Sequence, residues 1–480
     1  GNVRRFFAFG SGQGRASLER YLPGAGAQGS NGSRAGVVAA FGVPRRALIL
    51  FAGVGSEVVA LDRMSGGRTD ITAVEVNRPM VRWARARKEN GLDALFSKSN
   101  VHFHVAEARA FLEADRSRYD LIWLPYFGSG YRGALWFSVE DLAQFTFTRE
   151  AYRKLLERLA PGGTLVTYDV NKVILLATLR GLFEEDGRNN LARCAVIMSL
   201  DSIDERRFLN PAPRSKAAFH LFRDWNTPLD NLVLLLKPSG FSSAQLAALR
   251  AFARRRGSSI LYAPDSPRSE SPYWQVLHDD DWRQTVSRLS GSGWIKLTAA
   301  TDDNPSLARG YVKNWFRLIR GLAARPALWI FLLGTLLAWV TVFVQATGKV
   351  SGGDLLFLAL FSALGCGFLL LEIGLIRKFG LFLGNPVYSL SISLAALLFF
   401  SGLGSLSRQG ASRAGLPALW RASGLTAAAT AAVLALLKAA GGALLGASLA
   451  ARVAVIALLL APVGFFSGQL FPEAMALARR

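Results

Sequence analysis

Long apolar runs fill the last third of the chain, from about Pro326 onward. Each run is close to the roughly 20 apolar residues that cross the hydrocarbon core of a bilayer. Since unpaired backbone groups are not tolerated in lipid, we expect each run to form a helix. The runs are Ala327–Val344, Leu355–Ile376, Val387–Leu406, Leu419–Leu437 (or on to Leu445) and Val453–Leu470. The pattern predicts an all-α, multi-pass transmembrane bundle of about five helices, with a fully buried helical bundle as the alternative.

A different pattern begins at about Arg45, where short buried runs alternate with amphipathic stretches. The predicted strands are Ala47–Phe51, Ile71–Val76, Val101–Val105, Tyr119–Leu124 and Thr164–Tyr168. Helices are predicted from about Glu57, over Arg78–Asn90, over Ala108–Ala114 and over Glu150–Leu159, with Ala160-Pro161-Gly162-Gly163 as a stop signal after the last. This alternation predicts an α/β doubly wound, Rossmann-like domain, in which helices cover both faces of a parallel sheet.

Composition separates the two parts. The 480-residue chain has a formal net charge of +22, and its charged residues crowd the positions before the apolar runs. We expect an irregular or β-structured segment over residues 1–44, the α/β domain over 45–310 and the helical domain over 326–480. A basic surface fits the anionic leaflet of a bilayer, so the expected partner is lipid and not nucleic acid. The start at Gly1 and the end soon after Pro472 suggest a fragment, which leaves a higher helix count open.

Basic residues flank the apolar runs unevenly. Arg317, Arg320 and Arg325 precede the first run, and Arg377 and Lys378 follow the second. If the first two helices form a hairpin, these flanks lie on one side, and positive flanks favour the cytoplasm. The prediction is therefore a protein of the inner (plasma) membrane with a cytoplasmic globular domain. Further basic residues between the third and fourth runs argue against this orientation.

Candidate ligand-binding residues follow the first three strands, at the edge where parallel sheets bind ligands. Gly53 and Gly55 come after the first strand, where missing side chains let a ligand approach a helix N-terminus. Glu75 ends the second strand, about 20 residues later, and can accept hydrogen bonds from both ribose hydroxyls. Glu107 follows the third strand and could accept a hydrogen bond from the amine of adenine. For each acid, the alternative is a solvated loop carboxylate or a helix cap.

Motifs in both parts of the chain point to one family. In the α/β part they are Phe51–Glu57, Val74–Asn77, Glu107–Leu112, Tyr119–Ile122, Phe147–Tyr152 and Leu159–Leu165. In the helical part they are Leu370–Ile373, Leu383–Tyr388, Ser401–Ser405 and Ala461–Phe465, and Thr301–Pro305 joins the two parts. On these residues the chain resembles the spermidine synthase-like group of the class I S-adenosylmethionine methyltransferase fold, particularly its bacterial multi-pass membrane members. The similarity begins at about residue 45 and is looser over residues 200–290.

The resemblance implies a pocket for S-adenosylmethionine or its decarboxylated form, taken as a substrate and without a metal. The residues it implies for this pocket are Gly53, Gly55, Glu57, Glu75, Glu107 and Ala108. It further implies a membrane-bound transferase that moves an aminopropyl group, or a methyl group, to an amine acceptor such as a polyamine. A homo-oligomer is left open.

The chain also departs from the soluble spermidine synthases, which carry an acidic residue directly after the fourth strand to deprotonate the amine. Here Leu124 is followed by Pro125 and Tyr126, and Asp120 lies too early and is given a structural role. The candidate catalytic residues are therefore Tyr126, Glu140 and Asp141, with helix capping as the alternative for the two acids. Phe51 replaces the first glycine of the usual run and should crowd the entrance. Whether the chain is an active enzyme is left open.

A second hypothesis is a non-catalytic membrane protein that senses a polyamine or nucleotide, or a transporter. Glu372 supports it, because this acid lies inside the second apolar run, where a charge is costly and usually functional. A salt bridge to Arg377 or Lys378 is the alternative to a cation-handling role. No metal site is expected, since the four histidines and two cysteines are scattered along the chain.

Overall fold

A mixed sheet of eight strands forms the centre of the α/β unit in the computed structural model. The structure describes residues 36–38, 40, 42–86, 92–125, 144–168, 172–200, 232–289, 295–296, 298–303, 305, 311–312, 329, 333–334, 337, 341, 352–408 and 415–478. These residues fall into two compact units, one α/β and one helical. The strands of the large sheet are β1 Arg46–Leu50, β2 Asp70–Glu75, β3 Val101–Val105, β4 Tyr119–Leu124, β5 Leu159–Tyr168, β6 Ala195–Ser199, β7 Leu232–Leu236 and β8 Ser259–Tyr262.

The order of the strands places the ends of β1, β2 and β3 side by side. That order is β3-β2-β1-β4-β5-β7-β6-β8. Strands β1 to β5 are parallel to one another, whereas β7, β6 and β8 are joined to β5 and to each other by antiparallel pairing. The predicted α/β doubly wound, Rossmann-like class is confirmed. The three antiparallel strands were not predicted, and they come from the part of the chain where the motifs are sparse.

Helices cover both faces of the sheet. They are α1 Ser56–Ser65, α2 Arg78–Arg85, α3 Leu92–Phe96, α4 Ala108–Ala114, α5 Arg149–Glu157, α6 Lys172–Glu185, α7 Leu191–Cys194, α8 Ser243–Arg256, α9 Pro272–His278 and α10 Trp282–Leu289. Side chains of a strand alternate between faces, so Leu48 and Leu50 enter one apolar core while Ala47 and Ile49 enter the other. All four are fully buried, as expected for parallel strands covered on both sides.

The predicted stop signal after α5 was wrong. Helix α5 ends at Glu157, and β5 already begins at Leu159, so Pro161, Gly162 and Gly163 lie within the strand. The pairing of β4 with β5 shifts register between Tyr119 and Leu121, which accommodates the extra residues. A Cβ on Gly163 would lie 2.9 Å from the Tyr119 carbonyl oxygen, so the glycine is required by close contact between strands.

From residue 352 onward, the described part of the second unit consists of four long helices, which confirm the helical character of the corresponding apolar runs. They are α11 Gly352–Leu383, α12 Pro386–Leu406, α13 Leu416–Leu445 and α14 Leu449–Ala478. Each is long and apolar enough to cross a membrane. The fourth run continues to Leu445, as one alternative had it. The run Ala327–Val344 lies outside the described residues except for a few helical positions between 329 and 341.

Candidate functional site

The turn between β1 and α1 has an unusual backbone. Phe51, Gly53 and Gly55 all have positive φ angles, of 58°, 57° and 95°. Glycine adopts this conformation at little cost, whereas a bulky residue such as Phe51 does so under strain, which is concentrated at functional sites. The Gly55 N–H donates to the Ala52 carbonyl at 2.8 Å, and Gly55 then caps α1. The turn therefore presents a bent backbone at the N-terminus of a helix, the arrangement that receives anionic or polar ligand groups.

Space is available at one of the two glycines. A Cβ on Gly53 would meet no heavy atom of the described residues within 4 Å, so a ligand can approach this backbone. A Cβ on Gly55 would lie 3.2 Å from both Leu95 and Phe103, so Gly55 is needed for packing as well as for its positive φ. The ring of Phe51 stacks on Phe147 with a centroid distance of 6.0 Å. The predicted crowding by Phe51 is thus partly relieved, because its ring packs against the core.

Glu75 fastens this turn to the end of the second strand. Its Oε2 accepts a hydrogen bond from the Gly53 N–H at 2.9 Å, and its Oε1 accepts one from the Asn77 N–H at 2.8 Å. The side chain is buried, and burial raises the pKa of its carboxyl group above the ordinary value of 4.5, against the opposing effect of the backbone N–H donors. A carboxylate has about four acceptor positions, so each oxygen can accept a further hydrogen bond from a ligand.

Glu107 lies at the end of the next strand. Residues Glu75 and Val105 are paired between β2 and β3, and Ala106 N–H donates to the Glu75 carbonyl at 3.1 Å. The Glu107 carboxylate caps α4 by accepting from the Ala110 N–H at 2.8 Å. The capping alternative is therefore observed. The cap also fixes the orientation of this carboxylate at the edge where the strands end.

The remaining predicted pocket residues follow the same elements. Ala108 is buried in the first turn of α4, and Glu57 is half-buried in the first turn of α1. Negative side chains are favourable near helix N-termini, which accounts for Glu57 without a ligand. Tyr126, Glu140 and Asp141 lie outside the described residues, so the structure does not test these three catalytic candidates.

Asp120 has the structural role that its place within the strand predicted. Its Oδ2 accepts hydrogen bonds from the backbone N–H groups of Arg45 and Arg46, at 2.9 and 3.0 Å. These bonds tie the start of β1 to β4 at the edge opposite the glycine turn. Asp120 therefore lies away from the candidate site.

An ion-pair network anchors the segment around Asp302 to α4 and α5. The Asp302 carboxylate accepts from Arg109 at 3.0 Å and from the Thr148 hydroxyl at 2.6 Å, and the Asp302 N–H donates to Glu150 at 2.9 Å. Arg109 is only 3% exposed, and its guanidinium is balanced by Asp302 and, at 3.7 Å, by Glu113 one turn later in α4. The network fixes α4, the helix that Glu107 caps. The sequence motif around Asp302 was recognised, but its partners were not.

Sequence reasoning also missed a set of buried polar groups near the carboxyl ends of β4 and β5. Among the described residues, no hydrogen-bond partner is found for Trp123 Nε1 and Thr146 Oγ1, and the buried Tyr152 hydroxyl has only the Thr167 hydroxyl beside it. Burial raises the pKa of the Tyr152 phenol, so it is neutral at ordinary pH. Buried polar groups normally have partners, so these atoms are suited to water or to polar groups of a ligand. The only sequence signal for these groups is their position among apolar residues.

Comparisons with known proteins find resemblance only at the level of structure. No family model and no curated protein matches the sequence. Similar solved structures include human methyltransferase-like protein 13 with SAH (15% identity, TM-score 0.29, covering 50% of this chain and 92% of that one). Another is the O-methyltransferase TomG from Streptomyces achromogenes with SAM (16% identity, TM-score 0.28, covering 46% and 89%). Spermidine synthase from Thermotoga maritima is also similar (16% identity, TM-score 0.22), over 27% of this chain and 40% of its own length. At these scores the likeness carries no argument about activity.

Proposed function

We propose that the α/β unit binds an adenosyl sulfonium, S-adenosylmethionine or its decarboxylated form, and transfers a methyl or aminopropyl group to an amine. The observation that carries the proposal is the hydrogen bond between Glu75 and Gly53, which joins an acidic strand end to a strained glycine turn. A buried carboxylate held by backbone donors is an acceptor already oriented for vicinal hydroxyls. It therefore fits a ribose at the carboxyl edge of this sheet.

The residues present fit such a ligand. Gly53 leaves its backbone open to close approach, and Glu75 keeps acceptor positions on both oxygens. Glu107 is oriented by its cap on α4 and is assigned to the purine amine. When bound, the sulfonium supplies an electrophilic carbon and a leaving group that needs no protonation. The chain's own residues orient the ribose and purine, so that the reactive carbon faces the acceptor.

On the acceptor side, an amine must lose a proton as it forms the new bond. Tyr126, Glu140 and Asp141 remain the proposed residues for holding the amine and its proton. Pro125 directly after β4 provides no carboxylate, so the base that removes this proton must come from elsewhere in the chain. This difference favours an acceptor unlike that of the soluble spermidine synthases.

We further propose that α11 to α14 anchor the protein in the inner membrane with the α/β unit in the cytoplasm. The support is their length and apolar composition together with the basic flanks at Arg377 and Lys378. Alkaline extraction of membranes tests insertion. Orientation is tested by adding protease to inverted vesicles, in which the cytoplasmic face of the membrane points outward. Release of the chain into the soluble fraction, or protection of the α/β unit from the added protease, would contradict this part of the proposal.

Adenosyl binding is tested by isothermal titration of the full chain in detergent. We expect heat with S-adenosylmethionine or its decarboxylated form and with methylthioadenosine, and none with methionine. The first two ligands differ by one carboxylate, so their relative affinities separate methyl from aminopropyl transfer. Absence of binding to all three adenosyl ligands, in a preparation shown to be folded, refutes the proposal.

A second candidate function is sensing or transport of a polyamine without chemistry. The lack of a carboxylate directly after β4 favours it, because binding alone needs no proton acceptor. Uptake of labelled polyamine into liposomes containing the full chain distinguishes the two. Uptake without turnover of the adenosyl ligand supports transport, and turnover without uptake supports the transferase.

A further inference from the structure

Glu372 is a buried carboxyl group in the middle of an apolar helix. It lies on the packed face of α11 with Leu375, Ile376 and Phe379, and it is 8% exposed. Its Oε1 has no hydrogen-bond partner among the described residues. The alternative of a salt bridge to Arg377 or Lys378 is not observed among the described residues. These basic residues follow Glu372 by five and six positions, which places them on other faces of the helix. Such a group is costly in a membrane and usually functional.

The contact between α11 and α12 shows what lies opposite Glu372. The Ser389 hydroxyl donates to the Ile376 carbonyl at 2.5 Å, where the two helices run antiparallel after a connection at Gly384 and Asn385. One turn back along α11 is Glu372, and one turn forward along α12 is Ser393. The two side chains are therefore at the same level. Ser393 is fully buried, and its hydroxyl also has no partner among the described residues.

Helix α14 closes the third side of this level. A Cβ on Gly464 would lie 3.0 Å from the Leu397 carbonyl, and one on Gly468 would collide with the Ser401 carbonyl, so α12 and α14 are parallel and in close contact. One turn before Gly464 is Leu460, which is fully buried and lies opposite Ser393. The rings of Phe361 and Phe471 are in contact, with centroids 5.2 Å apart and planes tilted by 55°. Following the antiparallel register of α11 and α14 from this contact independently places Leu460 opposite Glu372.

The charged groups of the helical unit that the structure describes lie elsewhere. Glu473 of α14 is buried too, but it pairs with Arg408 at the other end of α12. Arg452 of α14 donates to the Phe382 carbonyl at 2.8 Å. On α13, Arg421 and Lys438 are exposed, and Pro386–Leu406 contains no charged residue. The buried Glu473 is thus paired with Arg408, whereas no basic side chain of the described residues pairs with Glu372.

We propose that Glu372 and Ser393 form a binding site for one small monovalent cation, a proton or a sodium ion, inside the helical unit. A single carboxylate balances a single positive charge, and the hydroxyl adds one neutral oxygen. A divalent cation would keep an unbalanced positive charge beside a single carboxylate in an apolar surrounding, so the charge favours a monovalent ion. The proposal goes beyond adenosyl binding and rests only on the proposed insertion of the helices.

The test uses dicyclohexylcarbodiimide on the full chain in liposomes, with modified residues mapped by mass spectrometry. This apolar reagent adds to a protonated carboxyl group: the proton moves to a carbodiimide nitrogen, and the carboxyl oxygen bonds to the central carbon. We expect Glu372 to be modified and Glu473, paired with Arg408, to be spared. Modification should slow as pH is raised if the cation is a proton. It should also slow with added sodium chloride, but not with choline chloride, if sodium binds.

A pair of serine variants tests the hydroxyl. Loss of the hydroxyl oxygen should weaken cation binding in Ser393→Ala by about five- to tenfold. This would be seen as a higher sodium concentration for half protection, or as a higher proton concentration for half-maximal modification. Ser401→Ala on the same helix is the matched control and should behave as wild type, because its hydroxyl makes only a long bond to Leu398 within its own helix. Equal modification of Glu372 and Glu473, no modification of Glu372, or a rate unaffected by pH and sodium overturns the proposal. So does a Ser393→Ala variant identical to wild type.

Failure of this proposal is separable from failure of the proposed function. The readout is a covalent adduct on Glu372, so it does not depend on any adenosyl ligand. Insertion is measured on the same liposomes by alkaline extraction. If the chain is inserted and Glu372 is unreactive, only the cation site is refuted.

Discussion

Replacing Glu75 by glutamine keeps the shape of the side chain and removes one of its two acceptor atoms. In the native protein, both carboxylate oxygens accept from backbone N–H groups, those of Gly53 and Asn77. The glutamine amide has one oxygen and one NH₂ group, so it can satisfy only one of these donors and must direct its NH₂ toward the other. The change therefore loosens the glycine turn and removes an acceptor for the ligand.

The expected magnitudes follow from these bonds. A hydrogen bond to a charged group contributes about 1.5–3 kcal/mol, and an unsatisfied buried N–H costs about 1–3 kcal/mol. Burial of the carboxylate is itself unfavourable, as the raised pKa of Glu75 shows, and the neutral glutamine removes this penalty. The gain offsets part of the lost hydrogen bonding, so we expect the free energy of unfolding to fall by about 1–2 kcal/mol. For the ligand, loss of one charged acceptor and distortion of the turn should weaken methylthioadenosine binding by about 2–3 kcal/mol, roughly 30- to 150-fold.

Isothermal titration of methylthioadenosine into full-length wild type and Glu75→Gln measures this difference, with circular dichroism to confirm folding. Asp70→Asn is a matched control, because Asp70 begins the same strand at the opposite edge and is exposed to solvent. The control should bind as wild type does. If Glu75→Gln is folded and binds methylthioadenosine with undiminished affinity, Glu75 does not hold the ribose and the argument from the glycine turn is refuted.

Three further predictions concern stability, measured by denaturant unfolding of the full chain in detergent. The raised pKa of Glu75 means that the folded state binds this proton more tightly than the unfolded state does, so the contribution of Glu75 to the free energy of unfolding should fall as pH rises from about 4.5 through the folded pKa. Glu75→Gln should flatten this dependence of the free energy on pH. An unchanged pH dependence would contradict the assignment. Asp302→Asn should lower the free energy of unfolding by about 2–4 kcal/mol, since it leaves the buried Arg109 guanidinium with a weaker partner. Asp265→Asn, in the exposed ion pair with Arg250, should lower it by less than about 1 kcal/mol. Equal effects would refute the network. Gly468→Ala should destabilise the helical unit by at least about 1–3 kcal/mol, because the new Cβ would collide with α12. Gly442→Ala is the control and should be neutral or mildly stabilising, since a Cβ there would meet no atom of the described residues within 4 Å. Destabilisation by both substitutions would refute the packing.

Local patterns in the sequence were sufficient to predict the first part of the sheet. The bounds of β3, α4 and β4 agree with those expected from Val101–Val105, Ala108–Ala114 and Tyr119–Leu124. Each is a short run whose burial and capping are decided by neighbouring residues. Glu107, for instance, caps a helix that starts at the next residue. Where the determining interactions are local, the sequence is a sufficient guide.

Long-range contacts account for what the sequence did not predict. The Pro161–Gly163 segment resembles a helix stop, but close contact with Tyr119 of β4 makes it part of a strand. Arg109 and Asp302 are separated by 193 residues, so no local pattern could connect them. The unpartnered state of Glu372 likewise depends on which residues α12 and α14 place opposite it. Only the tertiary arrangement determines these interactions.

The glycine turn combines two unfavourable features that a simple connection between β1 and α1 does not require. Phe51 adopts a left-handed backbone conformation, at a cost on the order of 1–3 kcal/mol, and Glu75 buries a carboxyl group whose pKa is raised by that burial. A glycine at position 51 would relieve the first cost. An apolar residue at position 75 would remove the buried carboxyl group but leave the Gly53 and Asn77 N–H groups without an acceptor. Local rules are broken most often at functional sites, where a ligand or a reaction depends on the unfavourable arrangement. The hydrogen bond from Gly53 joins the two features in one structure, and the proposed adenosyl ligand would account for the strain at Phe51 beside this acid.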